Sequence, residues 1–190
     1  MSRILLFPFK GDRNYVHGTS LFNEFSREAQ QHGVDSGLVS ISFRRMIYNP
    51  LCVLEVRPSS AEDAAVAHIS GRAGESLVLC INEASERGGI VRQDFDEDYI
   101  ACGAILGEKS IMLPRSSHSD RVEVLVALCK KMHQQCFSGA KKWVFSRYEG
   151  VFPLPALGRI ELKITRQLGS RLTCSAVFFD EGKVGDIYFS

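Results

Sequence analysis

The sequence predicts an α+β protein in two related halves, each a helix packed on an antiparallel β-sheet. Three repeated features predict it. A short apolar strand ending in proline occurs twice, at Ile4-Leu5-Leu6-Phe7-Pro8 and Ile111-Met112-Leu113-Pro114. Each is followed by an Asp-Arg pair, Asp12-Arg13 and Asp120-Arg121, and then by a helical pattern. Behind each helix come an alternating strand, a proline turn, two further strands and a glycine hairpin. The matched features place one half at residues 1–107 and the other at 108–190, either as two small domains or as one continuous domain.

The first helix runs through SLFNEFSREAQQ, where Leu21, Phe22, Phe25 and Ala29 make an apolar stripe. Thr19 or Ser20 is its expected N-cap and Gly33 its stop. The second runs through VEVLVALCKKMHQQCF, with Ser119 or Asp120 as cap, Glu123 at capping-box spacing and Gly139 as stop. In the strand after the first helix, Val39, Ile41 and Phe43 share a face opposite Ser40, Ser42 and Arg44. Trp143 and Phe145 take the places of Ile41 and Phe43 in the second half, and Arg147 then matches Arg45. Turns at Asn49-Pro50 and Phe152-Pro153 lead to CVLEV and RIELKI, then to SLVLCI and RLTCSAVFF. SERGGIV and DEGKVGDIYF are the expected hairpins. The largest insertion falls between Pro58 and Gly74, where SSAEDAAVAHI reads as a short helix capped by Ser60.

Composition narrows the function. The 190 residues carry 23 basic and 22 acidic side chains, a balance without the electrostatic footprint of a nucleic-acid binder. The N-terminal apolar run is too short for a signal-peptide core or a membrane span, which points to a cytoplasmic protein. The six cysteines are scattered, several inside apolar runs, and read as reduced core residues. Cys129, His133 and Cys136 fall near one helical face, yet Leu125, Cys129, Met132 and Cys136 also form an ordinary core stripe, and no metal site is expected. No nucleophile elbow, P-loop or dinucleotide fingerprint is present.

The repeated order resembles the hotdog superfamily, in which a long helix lies in the concave face of a sheet. The resemblance implies an acyl thioester of coenzyme A or acyl carrier protein as ligand, and two hotdogs side by side. Locally, Gly11-Asp12-Arg13-Asn14-Tyr15-Val16-His17 is similar to the G-D-x-N-P-[LIV]-H signature of (R)-specific enoyl-thioester hydratases, with Tyr15 in place of the proline. Carried over, Asp12 and His17 would be the acid/base pair that adds or removes water across the C2–C3 bond. Asn14 would orient His17 or the water, and Gly18 would supply a backbone N–H. A carboxylate and an imidazole on one loop before a helix suit that chemistry, and the helix N-terminus favours a carbonyl gaining enolate charge. The reaction needs no cofactor. Leu125 stands where the second half would need its histidine, so that half would be a non-catalytic wall, in a monomer or a homodimer.

Two other functions stay open on the same fold: a thioester hydrolase, and a non-catalytic binding module. Arg44, Arg45, Lys141, Lys142 and Arg147 are either a phosphate-binding edge for the carrier or the polar rim of a sheet. The acidic run Asp94-Phe95-Asp96-Glu97-Asp98 reads as a solvated linker.

Overall fold

The first apolar run forms strand β1 (Ser2–Leu6), followed by the short strand β2 (Phe9–Lys10) and helix α1 (Gly18–Gln31). The computed structural model describes residues 2–116, 118–137, 142–169 and 171–190, and the chain divides into two units, Met1–Phe95 and Asp96–Ser190. Leu21, Phe22, Phe25 and Ala29 are buried along α1, as their spacing predicts. The cap differs from expectation. The helix begins at Gly18, so His17 is the N-cap, its side chain makes no capping bond, and its carbonyl accepts from Ser20 N–H at 2.9 Å. Thr19 cannot serve because it lies inside the helix, with its hydroxyl engaged elsewhere. Gly33, at φ +78°, ends the helix as predicted.

Strands β3 (Gly37–Phe43), β4 (Leu51–Val56), β5 (Ala65–Gly71) and β6 (Ser76–Glu83) join β1 in antiparallel pairs, in the order β1-β4-β6-β5-β3. Helix α1 packs on β5 and β6, and Phe25, Ile41, Leu54, Ile69, Leu79 and Ile81 are buried in this unit. Strand β7 (Arg92–Gln93) pairs in parallel with β2. The segment expected as a short helix contains β5 instead. Ala65, Val66 and Ala67 are buried in succession and Ile69 alternates with exposed His68 and Ser70, so burial in a sheet overrides the helical preference of alanine.

A buried carboxylate fixes the entry to β5. Asp63, fully buried, takes two guanidinium bonds from Arg57 (2.5 and 3.1 Å), and bonds from Ser60 N–H (2.7 Å) and Asn82 Nδ2 (2.8 Å). The Arg57 guanidinium above all, with the amide donors, holds its carboxyl below the usual carboxylate range. Asp63→Ala is expected to cost about 1–3 kcal/mol in denaturant unfolding, because it leaves Ser60 N–H and Asn82 Nδ2 without their acceptor and Arg57 with Glu55 as its remaining carboxylate. An unchanged midpoint would show that the clamp contributes nothing.

The second unit opens with helix α2 (Glu97–Ile100), capped by Asp96, whose carboxylate accepts from Tyr99 N–H. The acidic run lies where the two units divide, with Asp94, Asp96 and Asp98 exposed as a linker would have them, and it also supplies the cap and first turn of α2. Strands β8 (Ile105–Leu106) and β9 (Ser110–Leu113) precede helix α3 (Arg121–Cys136). Asp120 caps α3 through Glu123 N–H at 3.1 Å, as expected, while Gly139 lies outside the described residues. Strands β10 (Phe145–Phe152), β11 (Ile160–Leu168), β12 (Leu172–Phe179) and β13 (Gly182–Phe189) complete an antiparallel order β8-β9-β11-β12-β13-β10. The β12–β13 hairpin turns through Asp180 at φ +53°, as DEGKVGDIYF predicts.

Taking β1 and β9 as the first strands, the helix follows the first strand in each unit. The sheet orders then differ: first-third-fifth-fourth-second in one, first-third-fourth-fifth-second in the other. Counted along the sheet orders, β6 stands third from β1 and β12 third from β9, while β5 stands where β13 does in the other order. The strand expected after SERGGIV is thus supplied earlier in the chain, and SERGGIV is not a hairpin.

In the second unit, His133 of α3 is buried among rings: Trp143 at 4.7 Å, Phe189 at 5.2 Å and Phe137 at 5.4 Å between centroids. Its Nε2 meets Thr173 Oγ1 at 2.7 Å. Burial pushes this imidazole down to about 4. The unfolded chain therefore binds the proton more readily than the folded one between pH 6.5 and 4, so stability falls as pH drops through that window. His133 is expected to account for roughly 2 kcal/mol of the loss between pH 6.5 and 5. Chemical denaturation of His133→Gln at the two pH values should show a shallower decline; an identical decline would rule this residue out.

Candidate functional site

The segment that joins β2 to α1 is anchored at several points. The backbone N–H of Gly11, at φ +56°, donates to Gln93 O at 2.9 Å, and Arg92 Nη1 donates to Gly11 O at 2.7 Å and to Arg13 O at 3.0 Å. Val16 N–H donates to Ile47 O at 2.8 Å, and both Tyr15 and Val16 are buried. Where the hydratase signature has a ring-locked proline, this loop is held by the burial of Tyr15 and by the backbone bond that follows it.

The anchoring gathers three buried polar side chains. Lys10 is only 3 % exposed, and its ammonium donates to Thr19 Oγ1 at 2.8 Å. Thr19, in the first turn of α1, is fully buried and its hydroxyl lies 2.7 Å from His17 Nδ1. His17 is 3 % exposed. Its ring sits 5.3 Å from that of Phe95, over which Lys10 Nζ (5.1 Å) and the Arg13 guanidinium (5.2 Å) are also placed.

The residues singled out from the sequence are distributed as follows. His17 is in this cluster, and Gly18, half-buried, is the first residue of α1. Asp12 is exposed on the turn that follows β2. Asn14 is exposed and lines an open pocket of about 470 Å³ with Tyr48, Asn49, Glu83, Arg87 and Ile90. Asn49 shapes the pocket wall: its Nδ2 donates to Ala84 O (3.1 Å) and Glu86 O (2.7 Å), and its Oδ1 accepts from Leu51 and Gly88 N–H. Arg45 is exposed beyond the end of β3 and donates to Glu62 O. Arg147, in β10 of the other unit, pairs with Glu149 and lies over the Tyr188 ring. Lys10, Thr19 and Phe95 were not singled out. Lysine before Gly-Asp reads as a surface turn, Thr19 reads as a cap, and Phe95 was passed over as part of a charged run, although an aromatic ring between two aspartates is itself a sign of burial.

With Nδ1 of His17 engaged by Thr19, proton transfer at this imidazole would run through Nε2. The start of α1, whose N-cap side chain makes no capping bond, adds the positive end of the helix dipole beside it.

Among solved structures, the dehydratase domain of RzxB from Pseudomonas fluorescens is similar over 100% of this chain and 94% of its own, with a TM-score of 0.53 and 12% identity. The chain has the hotdog fold. The tesB protein of Mycobacterium avium subs paratuberculosis shares this hotdog likeness over 99% of this chain and 90% of its own (TM-score 0.52, 12% identity). So does the 12:0-ACP thioesterase from Umbellularia californica, over 100% and 96% (TM-score 0.50, 10% identity). No protein-family model and no curated protein matches the sequence. Within the hotdog, α1 and α3 are the helices that their sheets carry, and His17 stands at the entry to α1. Among the described residues no helix is long and apolar enough to cross a membrane.

Proposed function

We propose that this hotdog protein acts on acyl thioesters of coenzyme A or acyl carrier protein, as a hydratase or dehydratase with His17 and Asp12 as acid and base. The observation that carries the reading is His17 itself, a buried imidazole fixed through Nδ1 at the start of a helix, on the same loop as the pocket-lining Asn14. Hydration across C2–C3 needs one group to take a proton from water and one to deliver a proton to C2, with the carbonyl stabilised as an enolate. The loop offers a carboxylate and an imidazole for the first two tasks, and the Gly18 end of α1 for the third. Asn14 and the pocket beside it would hold the substrate, and Arg45 and Arg147, each taken within its own unit, are the candidates for binding a carrier phosphate. In this reading residues 1–107 and 108–190 are repeats of one pattern and only the first carries the pair. The likeness to a dehydratase domain supports the reading.

Thioester hydrolysis is the second reading, favoured by the likeness to the 12:0-ACP thioesterase and by the exposure of Asp12, which suits a carboxylate that activates bulk water. Two readouts on one panel of short and medium enoyl thioesters separate them. Hydration removes the conjugated absorbance without liberating thiol; hydrolysis liberates thiol. Loss of absorbance that fails in both Asp12→Asn and His17→Ala, with no thiol in any sample, is the expected result. Thiol release matched to substrate loss would replace the hydratase reading by the hydrolase one, and folded protein active in neither assay would point to a binding module.

A further inference from the structure

We infer that Lys10 and Thr19 are positioning residues for His17, and that together they hold its neutral imidazole in the Nε2–H tautomer. This deepens the functional reading above, on which its catalytic consequence rests, but the tautomer itself does not depend on any activity.

The inference comes from donor and acceptor counts. An ammonium only donates, so the 2.8 Å bond from Lys10 Nζ occupies one lone pair of Thr19 Oγ1. A hydroxyl that accepts from a cation is polarised and becomes a stronger donor. Its proton is then best placed on the 2.7 Å bond to His17 Nδ1, which must be the acceptor. The proton of the neutral ring is left on Nε2. All three groups are almost completely buried, so water does not compete for these bonds and the order of donors is kept. Phe95 packs beside His17 and beneath the Lys10 ammonium, which closes the cluster with an apolar and cation-compatible ring.

A histidine that presents N–H at Nε2 is a donor toward substrate. The division of labour follows: Asp12 takes the proton from water as the C3–O bond forms, and the Nε2 proton passes to C2 as the enolate collapses. As that proton leaves, Nδ1 takes the Thr19 hydroxyl proton and Thr19 is reprotonated from Lys10, so no imidazolate forms. Between turnovers the proton held by Asp12 leaves to solvent and one from solvent returns to Nε2, while Nδ1 gives its proton back to Thr19 and Thr19 returns one to Lys10, which restores the Nε2–H tautomer.

The test is nitrogen-15 NMR of the His rings in the full-length protein, assigned for His17 by comparison with His17→Gln. A non-protonated, deshielded Nδ1 and a protonated Nε2 are expected in the wild type at neutral pH. Thr19→Val, which keeps shape and removes the hydroxyl, should shift the ring toward a mixture of tautomers; Thr19→Ser should restore the wild-type pattern. Lys10→Met should weaken the preference in the same direction. In the enoyl assay, Thr19→Val is expected to lose on the order of tenfold or more in kcat, with Thr19→Ser recovering most of it. Wild-type protein with its proton on Nδ1, or a Thr19→Val spectrum equal to wild type, would overturn the inference even if turnover is observed. The expected tautomer in a protein without hydration activity would support the positioning and remove the functional reading instead.

Discussion

Replacing His17 with glutamine is expected to lower enoyl-thioester hydration by about two to four powers of ten while leaving the protein folded, the usual worth of a placed acid/base group. Glutamine retains a side-chain amide of similar reach, able to meet the Thr19 hydroxyl, so the buried bond at 2.7 Å has a substitute while the titratable nitrogen does not. Alanine at the same position would also leave the buried Thr19 hydroxyl without its bond to Nδ1, and should lose stability as well as rate. The comparison separates chemistry from packing. If His17→Gln turned over substrate at the wild-type rate, His17 would be a structural residue. The matching of Gly11 through His17 to the hydratase signature would then carry no function.

Trp143→Ala is expected to produce the largest loss of stability, roughly 3–5 kcal/mol, as large aromatic core truncations do. Trp143 is 8 % exposed and stacks on His133 at 4.7 Å with an interplanar angle of 16°, with Phe137 at 5.1 Å beside it. Removing it opens a void in the ring cluster that also shelters His133, so water would reach the imidazole and its displacement from the ordinary value should shrink. Thermal and urea unfolding of Trp143→Ala and Trp143→Phe would read the effect. Equal stability for Trp143→Ala and the wild type would show that the cluster is loosely packed.

Much of the fold was legible because it rests on local rules. The stripe of α1, the Asp120 cap of α3, the Gly33 stop and the β12–β13 hairpin each follow from periodicity or from the backbone needs of one position. The entry to β5 was not legible in that way. SSAEDAAVAHI has helical propensity along its length, and it ends in a strand because β3 and β6 flank it and Asp63 is clamped by Arg57. Those are long-range facts with no local signature. The same exchange of sheet positions explains why SERGGIV, with good turn chemistry, makes no hairpin. The candidate site divides similarly. His17 was marked by its motif, whereas Lys10, Thr19 and Phe95 come together through the parallel pairing of β2 with β7, which brings the end of the unit back to its beginning. Tyr15 shows the converse: a departure from a motif that looked like lost rigidity is compensated by burial of the ring.

The most direct test of an acid/base site at His17 is hydration carried out in deuterium oxide, with the product examined by mass spectrometry. Delivery of a solvent-exchangeable proton to C2 predicts a 3-hydroxyacyl thioester with a single deuterium at C2, formed by the wild type and not by His17→Gln. Unlabelled substrate recovered alongside free thiol would contradict it, because bond cleavage at the carbonyl places no proton on C2.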